Sequence, residues 1–215
     1  MTTTAITNAH MSNAGARGSG FSRTLTLLMV WFFAALWLGV SGAARGGVGK
    51  PPLLLAAAVT LPLLVFAADG RSGWRLFRGL AQLSLPALIA MQTFRVGGVF
   101  FVIAWMHGDL PGAFALPAGL GDIAIGAAAP FVAAAVADGK RRAPAVAVAW
   151  NLLGVVDLIA ALCLGVSHSS SSVGVLATGV TTDTLAVYPF SLIPMFLVPL
   201  AFMLHALTWR RLARR

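Results

Sequence analysis

The chain predicts an all-α bundle of six membrane-crossing helices with both termini in the cytoplasm, and three observations carry that prediction. Apolar residues fill 59% of its 215 positions and charged residues only 10%, with a mean hydropathy of +0.88, whereas about 25% of a soluble domain is charged. Six stretches reach roughly the 20 apolar residues that span a hydrocarbon layer. Lysine and arginine alternate between the connections, and the side that holds both termini takes twelve of the fifteen basic residues.

Residues 1–23 are rich in Thr, Ser, Asn, Ala and Gly without periodicity, and a disordered cytoplasmic tail is expected there. The transmembrane domain then runs over residues 24–209, and a basic tail over 210–215 closes the chain. The first span, Leu25–Ala43, follows Arg23, and the small residues Gly42, Ala43 and Ala44 run across its end, a pattern that overlaps with a signal peptide. A long preceding region and Trp31 and Trp37 within the run favour a retained anchor.

Arg45 and Lys50 are the only basic residues on the far side, before the second span, Pro51–Ala68. The next connection carries Arg71, Arg75 and Arg78, spaced four and three apart with Trp74 and Phe77 between them, which predicts a short surface helix over Gly70–Gln82. Pro86 suits the first turn of the third span, Leu85–Met106. Lys140, Arg141 and Arg142 separate the fourth span, Leu116–Ala137, from the fifth, Pro144–Val166, and Arg210, Arg211, Arg214 and Arg215 follow the sixth, Ala186–Thr208. The positive-inside rule then sets both termini in the cytoplasm. Trp74 and Trp209, each before an arginine at a boundary, read as headgroup-level anchors.

The net charge of +9 is therefore topological, with attraction to anionic lipid as a second effect and no single soluble face for nucleic acid. The lone Cys163 excludes a disulfide framework and reads as a small buried hydrophobe. Glutamate is absent, so paired-glutamate chemistry is excluded. Neither a Walker motif nor a dinucleotide fingerprint occurs, and Ser169–Ser172 with Thr178, Thr181, Thr182 and Thr184 form a polar loop without a nucleophile motif.

Arg95 stands in the middle of the third span. A guanidinium stays charged at any accessible pH and costs about 2.5–3.5 kcal/mol at the centre of a membrane helix, so it requires a partner or a wet cavity. At about 1.5 Å per residue, Arg95 lies about 15 Å from the basic side, Asp157 about 20 Å and Asp122 about 22 Å. Asp69, Asp109, Asp138 and Asp183 all fall in connections or at span ends. Every deep charge thus belongs to one layer on spans three, four and five, with Gln92 and Asn151 close by.

That layer supports two readings. It locks three helices together, or it lines a cavity and binds a proton, an anion or a polar head group, with Asp122 as the exchanging group. Gly119, Gly121 and Gly126, and Gly97 and Gly98, permit close helix approach, and Pro189, Pro194 and Pro199 mark span six as the kinked element. His205 falls near the basic end of span six, in a pH range useful for titration. His107 and His168, on the opposite side, are the candidates for a haem or metal; no ligand-spaced histidine pair occurs, and no cofactor is expected.

Gln92-Thr93-Phe94-Arg95, Leu110-Pro111 with Gly121-Asp122 and Ala129-Pro130, Trp150-Asn151 with Gly154, and Ile193-Pro194 with Val198-Pro199 and His205 together resemble an uncharacterised family of bacterial multi-span membrane proteins. The resemblance covers Gln92 to Trp209. It implies a bacterial inner-membrane location and places Arg95 and Asp122 at the centre, Asp157 being less typical, but it supplies no activity. A small permease or proton-linked carrier using Arg95, Asp122, Asp157, Gln92, Asn151 and His205 is the leading expectation. A non-catalytic membrane subunit or assembly factor is the second, and a lipid-modifying enzyme with Arg95 on a phosphate and Asp122 or His205 as acid or base is the third. Membrane lipids and a homo-oligomer or membrane complex are the expected partners.

Overall fold

The computed structural model describes residues 2–214, with side chains from Gly20 onward, and it is all-helical, with no strand among the described residues. The tail expected at residues 1–23 lies, up to Ser19, outside the described side chains. The helices are α1 (Thr2–Ser41), α2 (Leu53–Arg71), α3 (Arg78–Ala81), α4 (Leu85–Met91), α5 (Val99–Met106), α6 (Gly112–Ala137), α7 (Ala143–Ser167) and α8 (Val198–Leu212). A 3-10 segment, Gln92–Gly98, joins α4 to α5, and a π turn, Ile193–Leu197, leads into α8. Six stretches are long and apolar enough to cross a membrane: Gly20–Ser41, Leu53–Arg71, Leu85–Met106, Gly112–Ala137, Ala143–Ser167 and Ile193–Leu212.

The sixth departs most from expectation, starting at Ile193 rather than Ala186. Thr182–Ala186 forms a separate 3-10 turn, and regular helix waits until the chain has passed Pro189, which has no N–H to donate to a helical ladder. The third begins as the sequence predicts, with the Ser84 hydroxyl capping the Ala87 N–H and Pro86 in the first turn.

Span six is the axis of the bundle. Its most apolar window is 56% buried, against 17% and 11% for spans one and two. It packs on α4, α7 and α2, while α6 lies along both halves of span three and along α7. Leu88, Met203 and Leu204 are fully buried in one core cluster and Ile89, Ala129 and Ala147 in another. Span one is tied to span six by the Trp31 indole N–H on the Met195 carbonyl, at 3.0 Å. Outward faces carry large apolar groups such as Phe100, Phe131 and Leu153, a surface suited to lipid contact. Cys163 belongs to that outward set rather than to the core, because it falls on the outer face of α7.

The connection after α2 is not the single surface helix expected over Gly70–Gln82. Only Arg78–Ala81 is helical. Asp69 turns its carboxylate onto three successive backbone N–H groups, those of Arg75 and Leu76 through Oδ1 at 2.8 and 3.0 Å and that of Phe77 through Oδ2 at 2.8 Å. A carboxylate gathering three donors holds the chain in a tight turn that a helix cannot adopt. Gly73 and Trp74 both take positive φ, 94° and 61°; for a side chain as large as indole that region is strained. Thr24 ties the turn to α1, donating to the Leu76 carbonyl at 2.8 Å and accepting from the Gly79 N–H at 2.9 Å.

Candidate functional site

Arg95 sits within the 3-10 segment rather than in regular helix. Seven residues is long for such a segment, since its hydrogen-bond geometry is poor, and a stretch of it inside a helix is a mark of strain or of function. The tightening is bound up with the neighbouring backbone. A Cβ on Gly98 would lie 2.7 Å from the Gly119 carbonyl oxygen, and one on Gly119 would lie 2.8 Å from that of Gly98. Glycine at both positions lets spans three and four touch backbone to backbone, which brings Arg95 against Asp122.

Arg95 is 3% exposed as a residue, and its guanidinium reaches three other spans. Its Nε donates to Asp122 Oδ1 at 2.6 Å. Nη2 forms the ion pair with Asp157 Oδ2. Nη1 donates to the Gly154 carbonyl at 3.2 Å and meets His205 Nε2 at 3.1 Å. Four of the five N–H groups that arginine carries thus have a protein partner. Arginine has no lone pair to offer, so His205 Nε2 accepts, and the ring is the neutral tautomer with its proton on Nδ1. That proton is donated to Asn151 Oδ1 at 2.9 Å. The indole of Trp150 packs 5.3 Å from the imidazole and donates to the Ile125 carbonyl.

The residues expected in one layer therefore meet, with one distinction. Arg95, Asp122, Asp157, Asn151 and His205 form one continuous network, whereas Gln92 is buried beside it and donates instead to the Ala201 carbonyl on α8, at 3.0 Å. His205, placed by sequence near the basic end of its span, is 1% exposed. Span six ends four residues later than expected, at Leu212, which deepens the imidazole by about 6 Å. Sequence reasoning missed the Gly154 carbonyl; a Cβ there would lie 2.6 Å from His205 Nε2 and 3.1 Å from Arg95 Nη1.

Two cavities meet at Asp122. The larger, of about 710 Å³, has Arg45, Ser169–Ser171, Thr182 and Asp183 among its lining residues at one end of the bundle, and Asp122 deep inside. Its remaining lining is largely apolar, including Leu55, Phe114 and Leu158. The smaller, of about 190 Å³, lies against Arg95, Gly97 and Gly98. Phe101, Asp122, Leu158, Ile193 and Val198 line both, so the start of the π turn and the head of α8 face both cavities. Asp122 and Asp157 keep side-chain exposures of 13% and 16% against 1% for Arg95.

The histidines proposed for a haem or metal lie apart from this network. His107 is exposed, and His168 donates from Nδ1 to the Leu164 carbonyl at 2.9 Å. No group of three or more His, Cys, Asp or Glu side chains is placed to hold a metal among the described residues.

Over residues 52–213 the sequence matches DUF8737, a domain of unknown function, and the chain belongs to that family. The matched stretch takes in spans two to six and every residue of the polar network. No curated protein and no solved structure matches the chain.

Proposed function

We propose that this family member is a small proton-linked carrier of the bacterial inner membrane, with six spans and both termini in the cytoplasm. One observation carries the reading: Asp122 is held by Arg95 on one oxygen and lines both a 710 Å³ and a 190 Å³ cavity. A carboxylate that bridges two spaces at mid-span is a place where a proton is taken up and handed on. When Asp122 takes that proton it loses the charge that holds Arg95 Nε, and the guanidinium becomes available to the carboxylate, phosphate or other acceptor of a solute. A largely apolar wall favours a solute with an apolar body and one polar end. The π turn Ile193–Leu197, a rare distortion found mostly at functional places, supplies the element whose movement would join the cavities.

The experiment is proton flux in liposomes, read with an internal pH dye, for the wild type, Asp122→Asn and Asp157→Asn. Asp122→Asn keeps the hydrogen bond acceptor but not the titratable group, and it folds in normal yield with flux abolished. Wild-type flux from a folded Asp122→Asn variant overturns the proposal.

A second reading has its own support. Arg95 donates to groups on spans four, five and six at once, which is what a lock between helices in a non-catalytic subunit or assembly factor requires. Under it, no flux exists at any pH, and neutralising variants lose folded protein alone. The lipid-modifying alternative is weaker, because both ring nitrogens of His205 are already engaged within the network.

A further inference from the structure

The opposite polar end of the bundle carries a second concentration of arginine that the carrier reading does not use. Trp74, Arg78, Gln82, Arg210, Arg211 and Arg214 line a pocket of about 230 Å³ between the turn after α2, the region of α3, and the end of α8. Four arginines converge there from two parts of the chain more than 130 residues apart, and among the described residues no acidic side chain lines the pocket. Topology explains why arginines are numerous at this end. It does not explain why four of them face one concavity.

The pocket is built, not merely charged. Asp69 is the nearest acid in sequence, yet its carboxylate is consumed by the N–H groups of Arg75, Leu76 and Phe77 and is 4% exposed at the residue level. That turn drives Trp74 into the left-handed region and sets its ring against Phe66, 5.0 Å between centroids. The guanidinium of Arg210 lies over the same indole, 4.8 Å from its centroid, a cation–π contact that holds it at the pocket. Arg211 is anchored through Nη2 to the Ala81 carbonyl at 2.9 Å. Among the described residues it is the only one of the four that gives a side-chain hydrogen bond to the protein, and none of the four forms an ion pair.

We propose that this pocket binds a phosphate group. Guanidinium forks match the paired oxygens of a phosphate, and basic pockets between helices at a membrane surface are where anionic head groups bind. A phosphate seated there would bridge the α2–α3 turn to the end of α8 and relieve the mutual repulsion of the arginines. The chemistry is shared by an anionic phospholipid head group and by free phosphate.

The test uses full-length protein in a zwitterionic detergent, titrated with short-chain phosphatidic acid, with phosphatidylcholine of the same chain length, and with inorganic phosphate. Saturable binding of phosphatidic acid is expected, with phosphatidylcholine silent. Arg78→Gln with Arg210→Gln weakens it about tenfold or more, the scale of losing one or two charge-assisted contacts. Arg71→Gln with Arg75→Gln removes the same charge outside the pocket and changes affinity by less than about twofold. Competition by inorganic phosphate identifies the bare anion as a sufficient ligand; binding of the lipid without such competition assigns the lipid head group, and either outcome upholds the site. Equal weakening by the two double variants, or no saturable binding to either probe, overturns it.

Discussion

Arg95 and the arginines at the end of α8 solve opposite problems with the same side chain. Arg95 is one cation for two carboxylates, almost wholly buried, with four of its N–H groups matched to protein acceptors on three helices. At the Trp74 pocket the ratio inverts: among the described residues it has four cations, no lining carboxylate, and a single side-chain hydrogen bond from those cations to the protein. Where water is scarce a guanidinium must find its acceptors inside the fold, because an unpaired buried charge is far costlier than a paired one. Where water or a head group can reach, the donors are free for a ligand. Burial, not residue type, decides whether an arginine belongs to the scaffold or faces outward.

The comparison breaks first, and most severely, at Arg95. Arg95→Gln leaves Asp122 and Asp157 facing each other without a cation and strips donors from the Gly154 carbonyl and His205 Nε2. Removing one partner of a buried ion pair costs about 3–5 kcal/mol, and a matching fall in midpoint is expected in thermal melts of the purified protein. Adding Asp122→Asn and Asp157→Asn to the same chain should recover part of the loss, because a neutral network no longer buries uncompensated charge. A triple variant no more stable than Arg95→Gln would show that the hydrogen-bond geometry, not the charge balance, dominates.

At the other end the most damaging change is expected to be not at an arginine but at Asp69. Asp69→Ala removes the acceptor of three backbone N–H groups, and a loss of about 2–3 kcal/mol is expected from unsatisfied donors at a charged partner. Amide hydrogen exchange at Arg75, Leu76 and Phe77 reports it directly. Protection unchanged in the variant would mean that Thr24 alone holds the turn.

A third change separates close packing from charge. Gly98→Ala drives a Cβ to 2.7 Å from the Gly119 carbonyl, and overpacking of this kind costs about 1–3 kcal/mol. Gly97→Ala, one residue earlier, meets only Phe100 Cδ2, at 4.0 Å, and should melt within about 0.5 kcal/mol of wild type. Equal effects from the two neighbours would remove the argument that spans three and four must touch at Gly98.

These elements differ in how far the sequence revealed them, for physical reasons. The span Leu85–Met106 was legible to the residue because a first-turn Pro86 and an unbroken run of apolar side chains mark it, and depth alone grouped Arg95 with Asp122 and Asp157. Depth cannot say which face of a helix a side chain leaves from, so Gln92, in the same layer, gave no sign that it bonds Ala201 rather than joining the network. The 3-10 segment has no local signature beyond Gly97 and Gly98, since it arises from backbone contact with a glycine 21 positions further on. The Asp69 turn was hidden by an arginine spacing that mimics a helix, where one carboxylate bonded to three N–H groups overrides the pattern. Cys163 misled for a different reason: on helices apolar enough to cross a membrane, the outer face carries apolar side chains as readily as the core does.

The smallest effect expected is the one that most sharpens the contrast. Arg78→Gln with Arg210→Gln removes two cations from the Trp74 pocket, yet neither takes part in an ion pair among the described residues. Stability without lipid should change by no more than about 0.5 kcal/mol, offset by the repulsion relieved among the remaining arginines and reduced by the lost cation–π contact of Arg210 with Trp74. The measurement is a thermal melt in zwitterionic detergent beside Arg95→Gln, both at low and at high salt. Salt screens the exposed arginines and leaves the buried pair largely untouched, so the melting point of the pocket variant should converge on wild type as salt rises while the Arg95→Gln deficit persists. If instead the pocket variant is destabilised as deeply as Arg95→Gln and stays so in salt, the arginines at the end of α8 are scaffold like Arg95, and burial is not what distinguishes the two sites.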